Sequence, residues 1–207
     1  MGALIASTGV VGLWAIGEYA VDLQTAVFKR HYEGLGFDAA AVKAKVESAK
    51  VNAYLLNMLG AAIGMTLFTR VASQMGRRFA FAVGFSAALV ITAFVYWKMN
   101  SPQDAYWMMP LMGAAQLAVF AGFAIYLPEL FPSRLRSTGT SFCYNLGRFA
   151  AAGGSFFSSV LSKDVYGHLP APAPFRWSAI TMCAIFLIGL AVLPFAPETK
   201  DRPLPED

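Results

Sequence analysis

Charged residues are scarce in this 207-residue chain, at 14%, whereas hydrophobic residues make up 57%. Soluble domains carry about 25% charged residues. A soluble fold of this length would have to expose more polar surface than this chain supplies. The apolar residues come in long runs with the charges between them, which is typical of a membrane protein.

Cysteine and histidine are also rare, with two of each. Cys143 and Cys183 both fall inside apolar runs, which favours a packing role over a disulfide. His31 and His168 lie between the runs, and two such histidines with two separated cysteines cannot build a metal site. A rhomboid-type protease would need a buried Ser and a His in another span, whereas both histidines of this chain lie between the spans. We therefore expect no metal, no cofactor and no enzymatic activity.

A basic face of the kind that reads nucleic acid is missing too, although the net charge is +4 and the pI about 9.1. Lys and Arg in the loops of a membrane protein set its topology. We expect the lipid bilayer, and no nucleic acid, as a partner.

Six apolar runs are each long enough to cross a bilayer, which takes about 20 helical residues. Backbone groups in lipid must be hydrogen-bonded within their own segment, so each run is predicted to be an α-helix. The predicted spans are 3–28, 52–68, 79–97, 106–127, 138–161 and 177–195. The sequence therefore predicts an all-α membrane protein, residues 1–207 forming a single bundle of six transmembrane helices.

The connections bear on the orientation of the bundle. Residues 29–51 are predicted to form an external loop in which Asp38 caps a surface helix. Residues 197–207 are predicted to be a cytoplasmic tail. Lys and Arg counts on the two sides are nearly equal, but the compact loops that contain only Arg favour a cytoplasmic position for those loops and for both termini.

Three motifs in the connections and at the end of the last span resemble those of a known protein family. The loop after the second span reads Arg70-Val-Ala-Ser-Gln-Met-Gly-Arg-Arg78, and the fourth span leads into Pro128-Glu-Leu-Phe-Pro-Ser-Arg-Leu-Arg-Ser-Thr-Gly139. The last span ends in Pro197-Glu-Thr-Lys200. Over essentially the whole chain this resembles the C-terminal half of the major facilitator superfamily, helices seven to twelve. The most similar groups are the sugar-porter-like and metabolite–proton symporters.

The first loop departs from the pattern of that family. Thr69, Ser73 and Gln74 stand where the family has Gly, Asp and Arg. The acidic partner is missing, which puts an Asp-dependent gating latch at this loop in doubt.

The resemblance implies secondary active transport of a small polar or anionic metabolite, such as a sugar, an organic acid or an aromatic acid, coupled to protons. It implies a cell inner membrane and a missing N-terminal six-helix half, because two such bundles rock around a shared site. We expect a truncated or split gene product, with pairing of half-bundles as the alternative. A receptor or scaffold bundle without transport is the alternative function.

Ionisable residues inside spans are the best candidates for a site, because they cost about 2.5–3.5 kcal/mol to insert. Glu18 and Asp22 share one face of the first helix and could accept a proton or bind substrate. The alternative for both is a wet outer vestibule. Arg148, near the middle of the fifth span, could clamp a carboxylate or hold the bundle together.

Further candidates fall in two groups. Polar side chains within spans either line a cavity or bond helix to helix; they are Trp14, Gln116, Tyr144 and Asn145. Loop residues are predicted to form ion pairs that stabilise an outward-open state, with topology and capping as the alternative; they are Gly76, Arg77, Arg78, Glu129, Arg134 and Arg136.

Overall fold

The computed structural model describes residues 1–205, and most of them are helical. The helices are α1 (Gly2–Gly34), α2 (Ala39–Met75), α3 (Arg77–Lys98), α4 (Pro102–Glu129), α5 (Arg136–Val160), α6 (Ala173–Met182) and α7 (Ile185–Val192). A π-helical turn at Leu161–Val165 extends α5, and a 3-10 turn at Leu193–Phe195 extends α7. The tail is described as far as Pro205, so the last two residues predicted to belong to it lie outside the described part.

Six rods run between the two ends of the bundle, because α6, α7 and the final turn form one rod over Ala173–Phe195. The start of α1 and the beginning of the tail lie at one end of the bundle. A Cβ built on Gly2 would lie 2.8 Å from Leu130 Cδ1, and Glu198 lies against Gly76. We call this the terminal end. The opposite end, where α1 and α3 finish and α6 begins, is the distal end.

Helix is present at all six predicted positions, but the rods differ in polarity. Among the described residues, five rods are long and apolar enough to cross a membrane. The exception is α5, whose 25 residues include many serines and glycines as well as Asn145 and Arg148. That the predicted span 138–161 crosses a membrane therefore stays a prediction.

The connection predicted at 29–51 is mostly helix in the structure. α1 continues to Gly34 and α2 begins at Ala39, so only residues 35–38 join them. The predicted surface helix is the first part of α2, whose 37 residues make it about 55 Å long. Asp38 does cap it, since its Oδ1 accepts a hydrogen bond from the Ala41 N–H at 2.7 Å. Hydropathy detects the apolar middle of a helix and misses polar turns that extend beyond the about 30 Å hydrocarbon layer.

Small residues allow α2 and α4 to cross backbone to backbone. A Cβ on Gly60 would overlap the Pro110 carbonyl, and one on Gly64 would overlap the backbone of Ala114. Close approach of this kind is the usual basis of helix association in lipid. The Asn57 side chain, buried at this crossing, donates to the Met109 carbonyl at 3.0 Å.

Candidate functional site

One face of α5 is polar and exposed. Ser137, Ser141, Asn145, Arg148 and Ser155 recur at helical spacing, so they share one side of the helix. Leu146 and Phe157 lie on the opposite side of the helix and are 43% and 54% exposed. The helix thus presents one surface suited to water or a polar ligand and another suited to lipid or protein.

Two hollows follow this polar face. The first, of about 510 Å³, is shallow and is lined by Ser137, Thr138, Ser141, Phe142 and Asn145. The second, of about 180 Å³, is lined by Trp14, Arg148, Ala151, Ala152 and Ser155. The second hollow joins an indole to a guanidinium, and this pair can stack on a planar group while donating hydrogen bonds to an anion.

The contact between α1 and α5 brings Trp14 beside Arg148. A Cβ on Gly147 would lie 3.2 Å from the backbone of Ala6 and Ser7, so the residue before Arg148 fits only if it is small. Further along the interface, the buried Tyr19 hydroxyl donates to the Ser158 carbonyl. These contacts fix the rotation of α5 and direct the Arg148 position toward the α1 face that bears Trp14.

Glu18 and Asp22 follow Trp14 on that same exposed face of α1, one and two turns further on. Both carboxylates are exposed. Neither lines the hollow that contains Arg148, and neither forms an ion pair in the described part of the chain. The structure therefore brings Trp14 and Arg148 together and leaves the two acids as a separate stripe.

Gln116 and Tyr144 lie away from the polar face. Gln116 is buried and its Nε2 donates to Thr92 Oγ1 of α3 at 3.2 Å. Tyr144 is half-buried, with its ring 6.5 Å from that of Phe120 on α4. These contacts favour helix-to-helix bonding for both residues over contact with a substrate.

Several of the predicted loop residues meet at the terminal end. Arg77 forms a forked pair with Glu129, with Nε 3.1 Å from Oε2 and a terminal nitrogen 2.7 Å from Oε1. Its other terminal nitrogen donates to the Ala72 carbonyl, and Thr199 Oγ1 donates to Glu129 at 2.6 Å. Both charged side chains are only 17% exposed, so the pair is partly shielded from solvent. The network connects α2, α3, α4 and the tail.

Glu198 completes this network and was not among the predicted site residues. Its carboxylate accepts the N–H groups of Arg77 and Arg78, at 2.9 and 3.0 Å, at the start of α3. Gly76 has φ of +99°, and a Cβ there would come within 2.8 Å of Glu198 Oε2. Burial on its own would raise the pKa of Glu198, but backbone N–H donors from Arg77, Lys200, Arg78 and Thr199 outweigh it and lower that pKa. The signal available in the sequence was the Pro-Glu-Thr-Lys motif, which identified the family without revealing a cap.

Two other arginines of this end donate to backbone carbonyls. Arg78 donates to the Pro194 carbonyl at 3.1 Å. Arg136 donates to the Pro128 carbonyl at 3.2 Å and to Ser133 Oγ at 3.4 Å. Arg134 is exposed. The carboxylate of Glu129 is thus shared by Arg77 and Thr199, and Arg136 secures the turn between α4 and α5.

The arrangement and the sequence can now be compared with known proteins. A profile of the Major Facilitator Superfamily matches residues 4–207. The chain belongs to the Major Facilitator Superfamily. Its matched family and relatives are transporters and not enzymes. Among the described residues, no three His, Cys, Asp or Glu side chains lie close enough to hold a metal ion.

Two curated relatives are carriers of small metabolites. The chain is 30% identical over 105 residues to the cis,cis-muconate transport protein of Acinetobacter baylyi, covering 50% of this chain and 25% of that protein. It is 26% identical over 136 residues to a probable 4-methylmuconolactone transporter of Cupriavidus pinatubonensis, covering 65% of this chain and 31% of that protein.

Solved structures agree on the fold. The partially occluded, inward-open structure of the xylose transporter XylE from E. coli superposes with a TM-score of 0.70 at 16% identity, covering 96% of this chain and 50% of that one. A second structure, of the proton:xylose symporter XylE bound to 6-bromo-6-deoxy-D-glucose, gives a TM-score of 0.69. The chain thus has a Major Facilitator Superfamily fold and spans about half the length of these transporters.

Proposed function

We propose that this chain is one six-helix half of a secondary active transporter for a small polar or anionic metabolite, with α5 as its sixth membrane crossing. The observation that most supports this proposal is the position of Arg148, which is exposed on the polar face of α5 and lines a hollow together with Trp14. An unpaired Arg on a helix of a membrane bundle is costly unless it meets water, an anion or a partner carboxylate. A substrate carboxylate meets that need through a charge-assisted, two-pronged hydrogen bond.

The preferred substrates are small unsaturated carboxylic acids. A guanidinium fork matches a planar carboxylate, and an indole face packs against a conjugated carbon chain. The relatives named for cis,cis-muconate and 4-methylmuconolactone carry compounds of this class. The hollow of about 180 Å³ is one wall of the site, and the facing wall belongs to the N-terminal half.

Proton coupling is assigned to Glu18, with Asp22 as the neighbouring acid. Both lie on the α1 face that carries Trp14, so a proton bound there would sit on the same surface as the substrate. One structural neighbour is described as a proton:xylose symporter. The transporter is assigned to the cell inner membrane, with the terminal end and both termini in the cytoplasm.

The network at the terminal end is assigned to gating. Arg77, Glu129 and Thr199 connect three rods and the tail through short hydrogen bonds. In this proposal the network holds the cytoplasmic ends together and stabilises the outward-open state. Ser73 stands where the family's loop pattern has an Asp, and the carboxylate that pairs with Arg77 comes from Glu129 of α4.

Uptake of labelled cis,cis-muconate by a full-length protein that contains this half tests the site. Arg148→Gln is expected to lower uptake about tenfold or more, because a hydrogen bond to a charged group is lost. Arg148→Lys keeps the positive charge without the forked guanidinium and is expected to retain only part of the uptake. Arg202→Gln, in the exposed tail, is the matched control and is expected to leave uptake unchanged.

Glu18→Gln separates coupling from binding. It is expected to remove the pH dependence of uptake while leaving downhill exchange of substrate in place. If Glu18→Gln and Arg148→Gln leave both uptake and its pH dependence unchanged, the site assignment is wrong. If no carboxylate or sugar is carried by the unmodified protein, a receptor or scaffold is favoured instead.

A further inference from the structure

A large cavity opens at the distal end, away from α5's polar face and the Arg77 network. Its volume is about 830 Å³, and it lies among the last turns of α1, the end of α3 and the start of α6. Its polar and aromatic lining consists of Arg30, His31, Trp97, Asn100, Arg176 and Trp177. The function proposed above makes no use of it.

The charged side chains that line the cavity are basic. Two arginines and one histidine contribute to its lining, and all the lining residues are described and include no carboxylate. The nearest acid along α1, Glu33, is directed to Lys29, with 3.8 Å between their charged atoms. Unbalanced positive charge in a partly enclosed space favours an anion.

Arg176 is held in position by the end of α3. Its two terminal nitrogens donate to the carbonyls of Trp97, at 2.6 Å, and Met99, at 2.8 Å, and also to Asn100 Oδ1 at 3.0 Å. These partners are neutral, so they orient the guanidinium without cancelling its charge. A cation fixed in this way loses little side-chain entropy when an anion binds.

The aromatic residues indicate where the cavity lies relative to the membrane. Trp97 lies one residue before the end of the apolar α3, and Trp177 lies near the start of the apolar rod Ala173–Phe195. They are 53% and 42% exposed. Trp residues at the ends of spans lie at the level of the lipid headgroups. The Lys98 ammonium stacks over the Trp97 ring at 4.0 Å, which adds positive charge at the same level. Val27 and Leu35 add apolar surface to the lining.

We infer that this distal cavity binds the phosphodiester headgroup of an anionic phospholipid. Arg30, His31 and Arg176 surround the phosphate, while Trp97 and Trp177 contact the glycerol backbone and the first acyl carbons. A soluble phosphate would use the cations but gain nothing from the two indoles, so the combination favours lipid. The site would tie α1, α3 and α6 together at the membrane surface.

Fluorescence quenching by brominated lipids tests this site directly. Trp14 and Trp107 are replaced by Phe, so that the two cavity indoles are the remaining tryptophans of the four in the chain. The full chain is reconstituted in phosphatidylcholine vesicles that contain either dibrominated phosphatidylglycerol or dibrominated phosphatidylcholine, over the same series of mole fractions. Quenching of the two tryptophans is expected to saturate at a lower mole fraction of dibrominated phosphatidylglycerol than of dibrominated phosphatidylcholine.

Arg30→Gln measures the contribution of one cation. Arg30 is exposed and makes no side-chain hydrogen bond within residues 1–205, so its loss should not unfold the chain. The half-saturating fraction of phosphatidylglycerol is expected to rise about fivefold, as for removal of one cation near a membrane surface. Lys43→Gln, also exposed and near the distal end but outside the cavity, is the matched control and is expected to change it little.

Three results would overturn the inference. Equal quenching by the two brominated lipids would mean that the headgroup is not recognised. An equal effect of Lys43→Gln and Arg30→Gln would mean that general surface charge is responsible. Displacement of the phosphatidylglycerol by excess inorganic phosphate, but not by chloride of equal ionic strength, would mean that the cavity takes a soluble anion.

Discussion

At the scale of single residues, Glu198 joins the tail to the start of α3. It accepts four backbone N–H groups, those of Arg77 and Arg78 and those of Thr199 and Lys200. A carboxylate at a helix N-terminus also interacts favourably with the helix dipole. The residue therefore contributes to stability independently of any substrate.

Glu198→Gln is expected to lower the stability of the chain by about 1 kcal/mol, because a neutral amide replaces a charged acceptor of several N–H groups. The thermal unfolding midpoint in detergent measures the effect. Asp201→Asn is the matched control, since Asp201 is 80% exposed and its ion pair in the described part of the chain is with its neighbour Lys200. A surface pair of this kind contributes little. Equal midpoints for the two variants would contradict the role given to Glu198.

The pH dependence of stability follows from the same carboxylate. Its pKa in the folded chain lies below the ordinary value of 4.5, so the unfolded chain binds a proton first as the pH falls. The stabilisation by Glu198 is complete above that ordinary pKa and is lost as the pH falls through the lower, folded pKa. The difference in unfolding midpoint between wild type and Glu198→Gln is expected to be constant near neutral pH and to shrink in acid. A difference that grows in acid would contradict the sign of the shift.

At the scale of whole helices, the sequence predicts the rods well and their ends poorly. Hydropathy locates each apolar middle, as in α3, which is predicted over 79–97 and observed over Arg77–Lys98. It cannot detect the polar first turns of α2, which continue the helix above the bilayer. It also cannot reveal which small residues meet across a crossing. The α2–α4 contact at Gly60 and Gly64 depends on partners about 50 positions away.

Two glycines allow a matched test of that crossing. Gly64→Ala would push a methyl group into the backbone of Ala114 and is expected to destabilise the chain by about 1–3 kcal/mol. Gly153→Ala meets nothing within 4 Å and is expected to be neutral or to stabilise α5 by up to about 1 kcal/mol. Unfolding midpoints in detergent compare the two. Equal midpoints would contradict the close crossing.

At the scale of the whole molecule, the motifs predict the family, and the structure adds the grouping of the candidate site. Trp14 and Arg148 are 134 positions apart, and only the packing of α1 on α5 brings them to one hollow. Gln116 and Asn145 are both polar residues within predicted spans, so polarity alone does not distinguish them. In the structure Gln116 is buried between helices and Asn145 is exposed. The rotation of each helix decides this, and rotation depends on contacts that a single sequence does not contain.

Labelling of cysteines by a water-soluble thiol reagent tests most directly whether α5's polar face lines a substrate path. Cys143 and Cys183, both buried, are first replaced by Ala. Asn145→Cys, on the polar face, is expected to react at least about tenfold faster than Leu146→Cys, on the opposite side of α5, because thiolate formation needs water. cis,cis-Muconate is expected to protect only the former, in membranes that contain the full-length transporter. Equal labelling at the two positions, or faster labelling at 146, would contradict the account.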